Sequence, residues 1–169
     1  MMCDNPFLSE EKTKEWQNVY KKSKLGDKIK FIPRVNTPLE VYNIMVQADC
    51  GVFPSRAEGW NLELLEMMAC GKPVIATNYS AHTEFCNHQN SLLVDIENEE
   101  PAFDGVWFKG TGSWASVGKK QQQQFSEHMR QVHKNKQEGT LCFNSNGLIT
   151  AQSLNWATIA ELITKCLKK

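Results

Sequence analysis

The sequence predicts an α/β protein built on a parallel sheet. Helical and strand patterns alternate over residues 9–94 in the order α-β-α-β-α-β-α-β. The segment 72–77 is short and apolar, which is typical of a strand that is buried on both faces of a parallel sheet. Alternation at this spacing favours parallel strands that are joined by right-handed helical crossovers.

The composition agrees with a single globular domain. Of the 169 residues, 41% are hydrophobic and 22% are charged, which excludes collagen, coiled coil and wholesale disorder. The 19 Lys and Arg residues balance the 19 Asp and Glu residues, and a net charge of zero argues against nucleic acid or an anionic membrane as the partner. No apolar run approaches the roughly 18 residues of a transmembrane segment, and the start has no signal-peptide pattern.

The six cysteines are scattered, with no C-x-x-C pair and no histidine at zinc-ligand spacing. The alternatives are a disulfide framework, a metal site or free thiols. Scattered cysteines in apolar stretches favour free thiols in a reducing cytoplasm. We therefore predict no metal site and a cytoplasmic protein.

The first elements follow from capping and alternation. Ser9 and the acidic residues after it cap a helix over residues 9–24. Residues 28–33 alternate and stop at a proline, which predicts a strand. A helix with proline in its first turn follows over residues 37–48, and residues 49–54 form a second strand.

A polar loop then leads into a helix over residues 61–70. Gly71 ends this helix, because glycine suits the left-handed position after a helix. The next elements are a third strand, a short helix that Ser80 or Thr83 caps, and a fourth strand, at residues 72–77, 80–86 and 91–94.

Beyond the fourth strand the pattern changes. Residues 95–118 lack periodicity and contain four glycines, so we predict a long structured loop. Its Trp107 and Trp114 either pin the loop to the domain or stack on a ligand. A polar helix over residues 119–136 carries its glutamine run on the solvated face, and residues 151–168 form a final amphipathic helix.

The carboxyl ends of the strands are where a parallel sheet binds its ligand. Three such ends are predicted to share one rim, at residues 33–36, 54–59 and 77–79. At the middle end, Gly59 and Trp60 lead into a helix N-terminus, whose free N–H groups and dipole favour a phosphate. His82 follows the third end, and we expect it at the surface, with contact to a ligand as the alternative.

The helix over residues 61–70 carries a glutamate at the edge of its apolar face. With about 100° per residue, Glu66 lies at about 40° from Leu62, beside an apolar arc of about 200–360°. A carboxylate in this position needs donors, because its desolvation is costly. A structural ion pair or cap and an acceptor for a ligand's hydroxyl pair are equally compatible with this spacing.

Residues 51–77 read GVFPSRAEGWNLELLEMMACGKPVIAT. They resemble the nucleotide-sugar-binding segment of the group 1 glycosyltransferases, whose pattern is P-S-x-x-E-G-x-x-L-x-x-L-E-x-M-x-x-G-x-P-V-I-A. The match includes two glutamates, Glu58 and Glu66, that are separated by seven residues. A weaker likeness runs continuously from about Phe31 to Val94.

The resemblance implies a retaining, metal-independent enzyme of the GT-B fold, which has two Rossmann-like lobes facing across a cleft. Residues 1–169 would form one lobe, the C-terminal donor-binding domain, with a Rossmann-like parallel sheet flanked by helices. That domain would be truncated at its N-terminal edge, and the acceptor-binding lobe would be absent. The isolated chain is then expected to be inactive or incomplete as a hexosyl-type transferase.

The resemblance also implies a role for individual residues. Glu58 would contact the hydroxyls of the donor sugar and be the catalytic residue, and Glu66 would take the ribose diol. The diphosphate and sugar would be held by four backbone N–H groups, those of Gly59, Trp60, Asn61 and Leu62. The turn that contains Arg34 and Val35 would lie against the base.

One departure from the family concerns the phosphates. The Arg and Lys that neutralise the departing diphosphate have no counterpart before residue 25, and Arg34 and Arg56 are the candidates to replace them. The expected partners are a nucleotide-diphosphate sugar and an acceptor-binding lobe, with no further cofactor. The alternatives are a non-catalytic nucleotide-binding or scaffold remnant of the same fold and a sugar-nucleotide epimerase.

Overall fold

A computed structural model describes residues 9–168. The chain divides into two compact units, residues 1–41 and 42–169. In the first unit, helix α1 (Glu10–Lys21) begins at Ser9, whose side chain accepts a hydrogen bond from the backbone N–H of Lys12 at 3.3 Å. The helix predicted there is confirmed and ends three residues earlier than expected.

The strand predicted at residues 28–33 is wrong. A short 3₁₀ helix (Gly26–Lys28) occupies its beginning, and Ile32 alone forms a β bridge. Pro33 follows at once and cannot donate to a strand ladder. Helix α2 (Pro38–Met45) is confirmed. At its start, the side chains of Thr37 and Glu40 cap the helix reciprocally, which lowers the pKa of Glu40.

The second unit carries the predicted parallel sheet. Its three strands have the order β1-β2-β3 and are all parallel, with Gly51 beside Val74 and Ala76 beside Leu93. The elements of this unit, in chain order, are β1 (Gly51–Phe53), α3 (Leu62–Ala69), β2 (Val74–Asn78), a 3₁₀ helix (Ser80–Glu84), β3 (Leu92–Asp95), β4 (Glu99–Phe103), β5 (Lys109–Ala115), α4 (Lys119–Gln137), α5 (Ser145–Ser153) and α6 (Trp156–Leu167).

Strand β2 is buried on both faces, which explains its unbroken apolar run. Val74 and Ala76 join a core cluster with Leu64 and Met68 of α3, while Ile75 packs with residues of α4 on the other face. The apolar arc of α3 is rotated from the predicted one. Its buried residues are Leu64, Met67 and Met68, whereas Leu62 and Ala69 are exposed.

The segment 95–118 is an antiparallel hairpin, β4–β5, and the predicted loop is wrong. The side chain of Asp104 closes the turn, since its Oδ1 accepts three backbone N–H groups, those of Val106, Trp107 and Phe108, at 2.8–2.9 Å. Gly110 and Gly112 have φ near +90° within β5 and hide the alternation of the strand. The Asp104-Gly105 pair was the available signal, because Asp-Gly is a common hairpin turn.

The C-terminal region differs from the prediction in two respects. The expected helix over residues 151–168 is two helices, α5 and α6, because Asn155 starts a new helix by accepting the N–H of Thr158 at 3.0 Å. The glutamine run of α4 is not simply solvated. Gln121 is buried and donates to the carbonyl of Asp95, and Gln124 accepts the N–H of Asp95, so α4 is fastened to the end of β3.

Replacing Gly71 with alanine is expected to lower the free energy of unfolding by at least about 1–2 kcal/mol, the cost of the backbone conformation alone. Gly71 has φ +66°, a region that costs an L-residue about this much, and a Cβ there would overlap the ring of Phe143. Urea unfolding measures the change. Adding Phe143→Ala removes the overlap and leaves the backbone cost, so a double variant as stable as Phe143→Ala alone would contradict the left-handed assignment.

Candidate functional site

The carboxyl ends of β1 and β2 lie side by side, as the parallel sheet requires. The hydroxyl of Thr77, on β2, donates to the carbonyl of Ser55, just after β1, at 2.7 Å. The loop over residues 54–61 therefore runs along the rim where a ligand of this fold would bind. The third predicted rim segment, residues 33–36, belongs to the first unit.

Asn61 caps α3 in an unusual backbone conformation. Its φ of 69° is left-handed, which asparagine tolerates better than other non-glycine residues, and its Oδ1 accepts the N–H of Leu64 at 3.1 Å. Four backbone N–H groups at this helix start make no hydrogen bond to a protein acceptor within residues 9–168. They belong to Gly59, Trp60, Asn61 and Leu62. These donors and the positive end of the α3 dipole favour an anion.

Glu58 is half-buried and held at several points. Its carboxylate Oε1 accepts the hydroxyl of Ser55 at 2.6 Å and the amide of Asn61 at 3.5 Å. Its backbone N–H donates to the hydroxyl of Ser80 at 2.8 Å. One carboxylate oxygen is thus occupied, and Oε2 makes no hydrogen bond within residues 9–168.

His82 contradicts the surface position that we expected, because it is completely buried. Its Nε2 lies 2.9 Å from the side-chain nitrogen of Asn61, and its Nδ1 lies 2.9 Å from the carbonyl of Thr77. The sequence carried no signal for this position. The partners lie 21 and 5 residues away, and packing alone brings them together.

Glu66 lies on the exposed side of α3, beside an apolar groove of about 620 Å³. Within residues 9–168 its carboxylate makes no ion pair and no hydrogen bond, so the structural alternative raised for it has no partner in this region. Partial burial, followed by repulsion from Glu63, raises the pKa of Glu66. The groove is lined by Trp60, Leu62, Leu65, Glu66, Ala69, Ala151, Leu154, Asn155, Trp156 and Ile159.

Arg56 fastens the β4–β5 hairpin to the rim loop. Its guanidinium lies 4.2 Å from the ring centre of Trp114 and pairs with Glu100, and its Nε donates to the carbonyl of Ala115 at 3.1 Å. The backbone N–H of Ala115 donates in return to the carbonyl of Arg56 at 2.8 Å. Trp114 therefore pins the hairpin, whereas Trp107 is 81% exposed.

The hairpin and the rim loop enclose a second cavity, of about 350 Å³, next to Glu58. Its walls combine aromatic rings with hydroxyl, carboxylate and guanidinium groups, from Ser55, Arg56, Ala57, Glu58, Ala102, Phe108, Ser113 and Trp114. The loop after β2 is tied to the same hairpin, since the hydroxyl of Tyr79 donates to Glu99 at 3.0 Å. Hydrogen bonds from Ser113 and Tyr79 lower the pKa of Glu99.

The predicted residues thus fall into three groups. Glu58 and Asn61 are in contact, and the N–H groups of residues 59–62 lie at the N-terminus of α3, which carries Glu66. Arg56 is engaged by the hairpin, so its predicted contact with a donor stays a prediction, and so do the contacts of Arg34 and Val35 in the first unit. Within residues 9–168, no group of acidic, histidine or cysteine side chains is arranged to hold a metal ion.

All five cysteines within residues 9–168 are free: Cys50, Cys70, Cys86, Cys142 and Cys166. Among the helices of the same region, none has the length and apolar character of a membrane span.

Comparison with known proteins identifies the family of this sequence. Residues 5–106, more than half of the chain, match the family described as group 1 glycosyl transferases. The O-antigen biosynthesis glycosyltransferase WclY of Escherichia coli is 33% identical over 91 residues, which are 54% of this chain and 25% of that protein.

Two solved structures share the fold. Sucrose-phosphate synthase from Thermosynechococcus elongatus has a TM-score of 0.66 at 21% identity, over 98% of this chain and 36% of its own. Anabaena HepE, crystallised with UDP-glucose, has a TM-score of 0.65 at 20% identity, over 99% of this chain and 39% of its own. Both have the GT-B fold. The chain spans a quarter of the curated relative's length, and it belongs to the group 1 glycosyl transferases.

Proposed function

We propose that residues 1–169 form the donor-binding domain of a retaining glycosyltransferase that uses a nucleoside-diphosphate sugar. The observation that carries this proposal is the row of N–H groups at residues 59–62, which make no protein hydrogen bond within residues 9–168 and lie between two glutamates in the chain. A diphosphate matches these donors, and a sugar and a ribose supply the hydroxyls that the glutamates would accept.

The reaction needs charge to be stabilised on the leaving group. As the bond from the anomeric carbon to the diphosphate oxygen breaks, negative charge grows on the diphosphate. The acceptor's hydroxyl oxygen bonds to that carbon on the same face, which retains the configuration, and its proton passes to the departing diphosphate oxygen. The N–H groups and the dipole of α3 would oppose this charge without a metal ion. Glu58 would hold the sugar hydroxyls through Oε2, and Arg34 and Val35 would lie near the base.

The second cavity suggests where a hexosyl group would lie. Aromatic walls beside hydroxyl and carboxylate groups suit a sugar ring, whose faces are apolar and whose edge is polar. We propose that the acceptor binds on a second lobe, that residues 1–169 alone bind donor without transferring the sugar, and that the free thiols reflect a reducing cytoplasm.

Titration calorimetry of the purified chain with UDP, GDP and their hexose esters tests the proposal. We expect saturable binding of at least one diphosphate in the millimolar range or tighter. No saturable binding of any of them would contradict a donor site and favour a non-catalytic remnant of the fold. Product analysis with a nucleotide sugar alone separates a transferase domain from an epimerase, which would convert the sugar without an acceptor.

The Glu58→Gln variant is expected to lose affinity for the sugar portion of the donor. Replacing the carboxylate removes a charged acceptor, which should weaken nucleotide-sugar binding about threefold to tenfold. Binding of the diphosphate alone should change by less than about twofold. Glu127→Gln removes the same charge from an exposed position on α4 and serves as the control. An equal loss for both ligands would contradict the assignment of Glu58 to the sugar.

A further inference from the structure

Two non-glycine residues of the described chain have left-handed backbone, and both contact Glu58. Asn61 has φ 69° and Ser80 has φ 48°. The hydroxyl of Ser80 accepts the backbone N–H of Glu58 at 2.8 Å and donates to its carbonyl at 3.3 Å, while the amide of Asn61 donates to its carboxylate. Strained backbone persists where the surroundings enforce it, often at functional sites. One of the two residues, Asn61, is also in contact with the buried His82.

The orientation of the Asn61 amide follows from its partners. Its Oδ1 accepts the N–H of Leu64 at 3.1 Å, so Nδ2 must face His82 and Glu58. Nδ2 has two hydrogens, and its two acceptors are His82 Nε2 at 2.9 Å and Glu58 Oε1 at 3.5 Å. A flipped amide would turn its oxygen toward the carboxylate and lose the bond to Leu64.

The tautomer of His82 follows from the same kind of argument. The carbonyl of Thr77 can only accept, so His82 Nδ1, 2.9 Å away, carries the proton. The Thr77 hydroxyl uses its proton to donate to the carbonyl of Ser55. Its oxygen, 3.3 Å from Nδ1, can therefore only accept from the Nδ1–H. Nε2 is then left as an acceptor, which is what the amide of Asn61 requires. The ring is completely buried against Phe85, so water cannot replace it.

We propose that His82 is a positioning residue for Glu58, acting through Asn61. It fixes the amide of Asn61 so that one N–H points at Glu58 Oε1, which leaves Oε2 for a sugar hydroxyl. This proposal rests on the proposed donor function and adds a specific residue to it. His82 never touches the ligand, because the ring is fully enclosed.

Two substitutions separate the halves of the imidazole. Asparagine places its amide near the position of Nδ1, so His82→Asn keeps a donor for Thr77 and removes the acceptor for Asn61. Glutamine reaches the position of Nε2, so His82→Gln keeps an acceptor for Asn61 and removes the donor for Thr77. Each variant loses one buried hydrogen bond, and their melting temperatures should fall by similar amounts.

The measured quantity is the ratio of the Kd of UDP to the Kd of UDP-glucose, by calorimetry. We expect His82→Asn to bring this ratio within about twofold of one while UDP binding changes by less than about twofold. His82→Gln should retain most of the wild-type ratio. Asn61→Gly, which keeps the left-handed backbone without strain and removes the amide, should also bring this ratio within about twofold of one and covers the case in which His82→Asn does not fold. Only the ratio is compared for Asn61→Gly, because its backbone N–H and its cap belong to the proposed diphosphate site.

The outcomes separate the two claims. A wild-type protein that binds UDP-glucose no better than UDP would overturn the sugar site and the role of His82 together. A wild-type preference for UDP-glucose that survives in His82→Asn and Asn61→Gly would overturn only the positioning role. Equal losses in His82→Asn and His82→Gln would assign His82 to general stability instead.

Discussion

The Glu66→Gln variant is expected to bind nucleoside diphosphates about 5- to 150-fold more weakly than the wild type. This range corresponds to about 1–3 kcal/mol, the contribution of hydrogen bonds from a ribose diol to a carboxylate. Calorimetric titration with UDP measures it. Glu63→Gln is the matched control, since it removes the same charge from an exposed position on α3, three residues before Glu66. Wild-type affinity in a folded Glu66→Gln protein would remove Glu66 from the ribose.

The Glu66→Gln substitution should affect stability differently from nucleotide binding. The pKa of Glu66 is raised in the folded state, so the folded protein binds this proton more tightly than the unfolded chain does. Stability from this group is therefore present at low pH and falls as the pH rises through the raised pKa. At neutral pH, Glu66→Gln should unfold at the same urea concentration as the wild type or slightly above it. A marked loss of stability would instead support a structural role.

The pH dependence of binding gives a further check on Glu66. An ionised carboxylate is the better acceptor, so wild-type affinity for UDP should fall as the pH is lowered toward the raised pKa of Glu66. The Glu66→Gln protein lacks this component but shares the titration of the diphosphate itself. The difference between the two pH profiles therefore isolates Glu66, and identical profiles would contradict its role.

The Leu64→Ala variant is expected to lose about 2–5 kcal/mol of unfolding free energy, the largest effect on stability. Leu64 is completely buried in the cluster that joins α3 to β2, and truncation leaves a cavity that close packing cannot refill. Urea unfolding with an unchanged m-value measures the loss. Leu62→Ala is the control, because Leu62 is 55% exposed on the same helix and should cost about 0.5 kcal/mol or less. Equal costs would contradict the observed face of α3.

Local sequence signals were sufficient for the centre of the sheet. The apolar run of β2 and the glycine after α3 reflect burial on both faces and a left-handed helix end, which are local requirements. The prediction of a loop over residues 95–118 was wrong because Gly110 and Gly112 interrupt the alternation of β5. The break before α6 could not be predicted, because asparagine is compatible both with capping a helix and with continuing one. Tertiary packing determines that Asn155 caps α6.

The candidate site combines features that the sequence offers with features that only the fold assembles. The family spacing singles out Glu58, Glu66 and the N–H groups of residues 59–62 as candidates, because they lie within one short segment, and their roles stay predictions. The buried His82 and the stacking of Arg56 on Trp114 could not be predicted, since each depends on residues brought together only by the fold. The apolar arc of α3 was misplaced because part of its hydrophobic surface, including Leu62, lines a groove rather than the core.

A crystal structure of the chain with UDP-glucose tests the central claim most directly. We predict that the diphosphate oxygens accept the backbone N–H groups of residues 59–62, that Glu66 bonds the ribose diol, and that the glucose hydroxyls reach Glu58 Oε2 beside the hairpin. A nucleotide that lies away from the N-terminus of α3, with neither glutamate bonded to it, would contradict the assignment of this rim as the donor site.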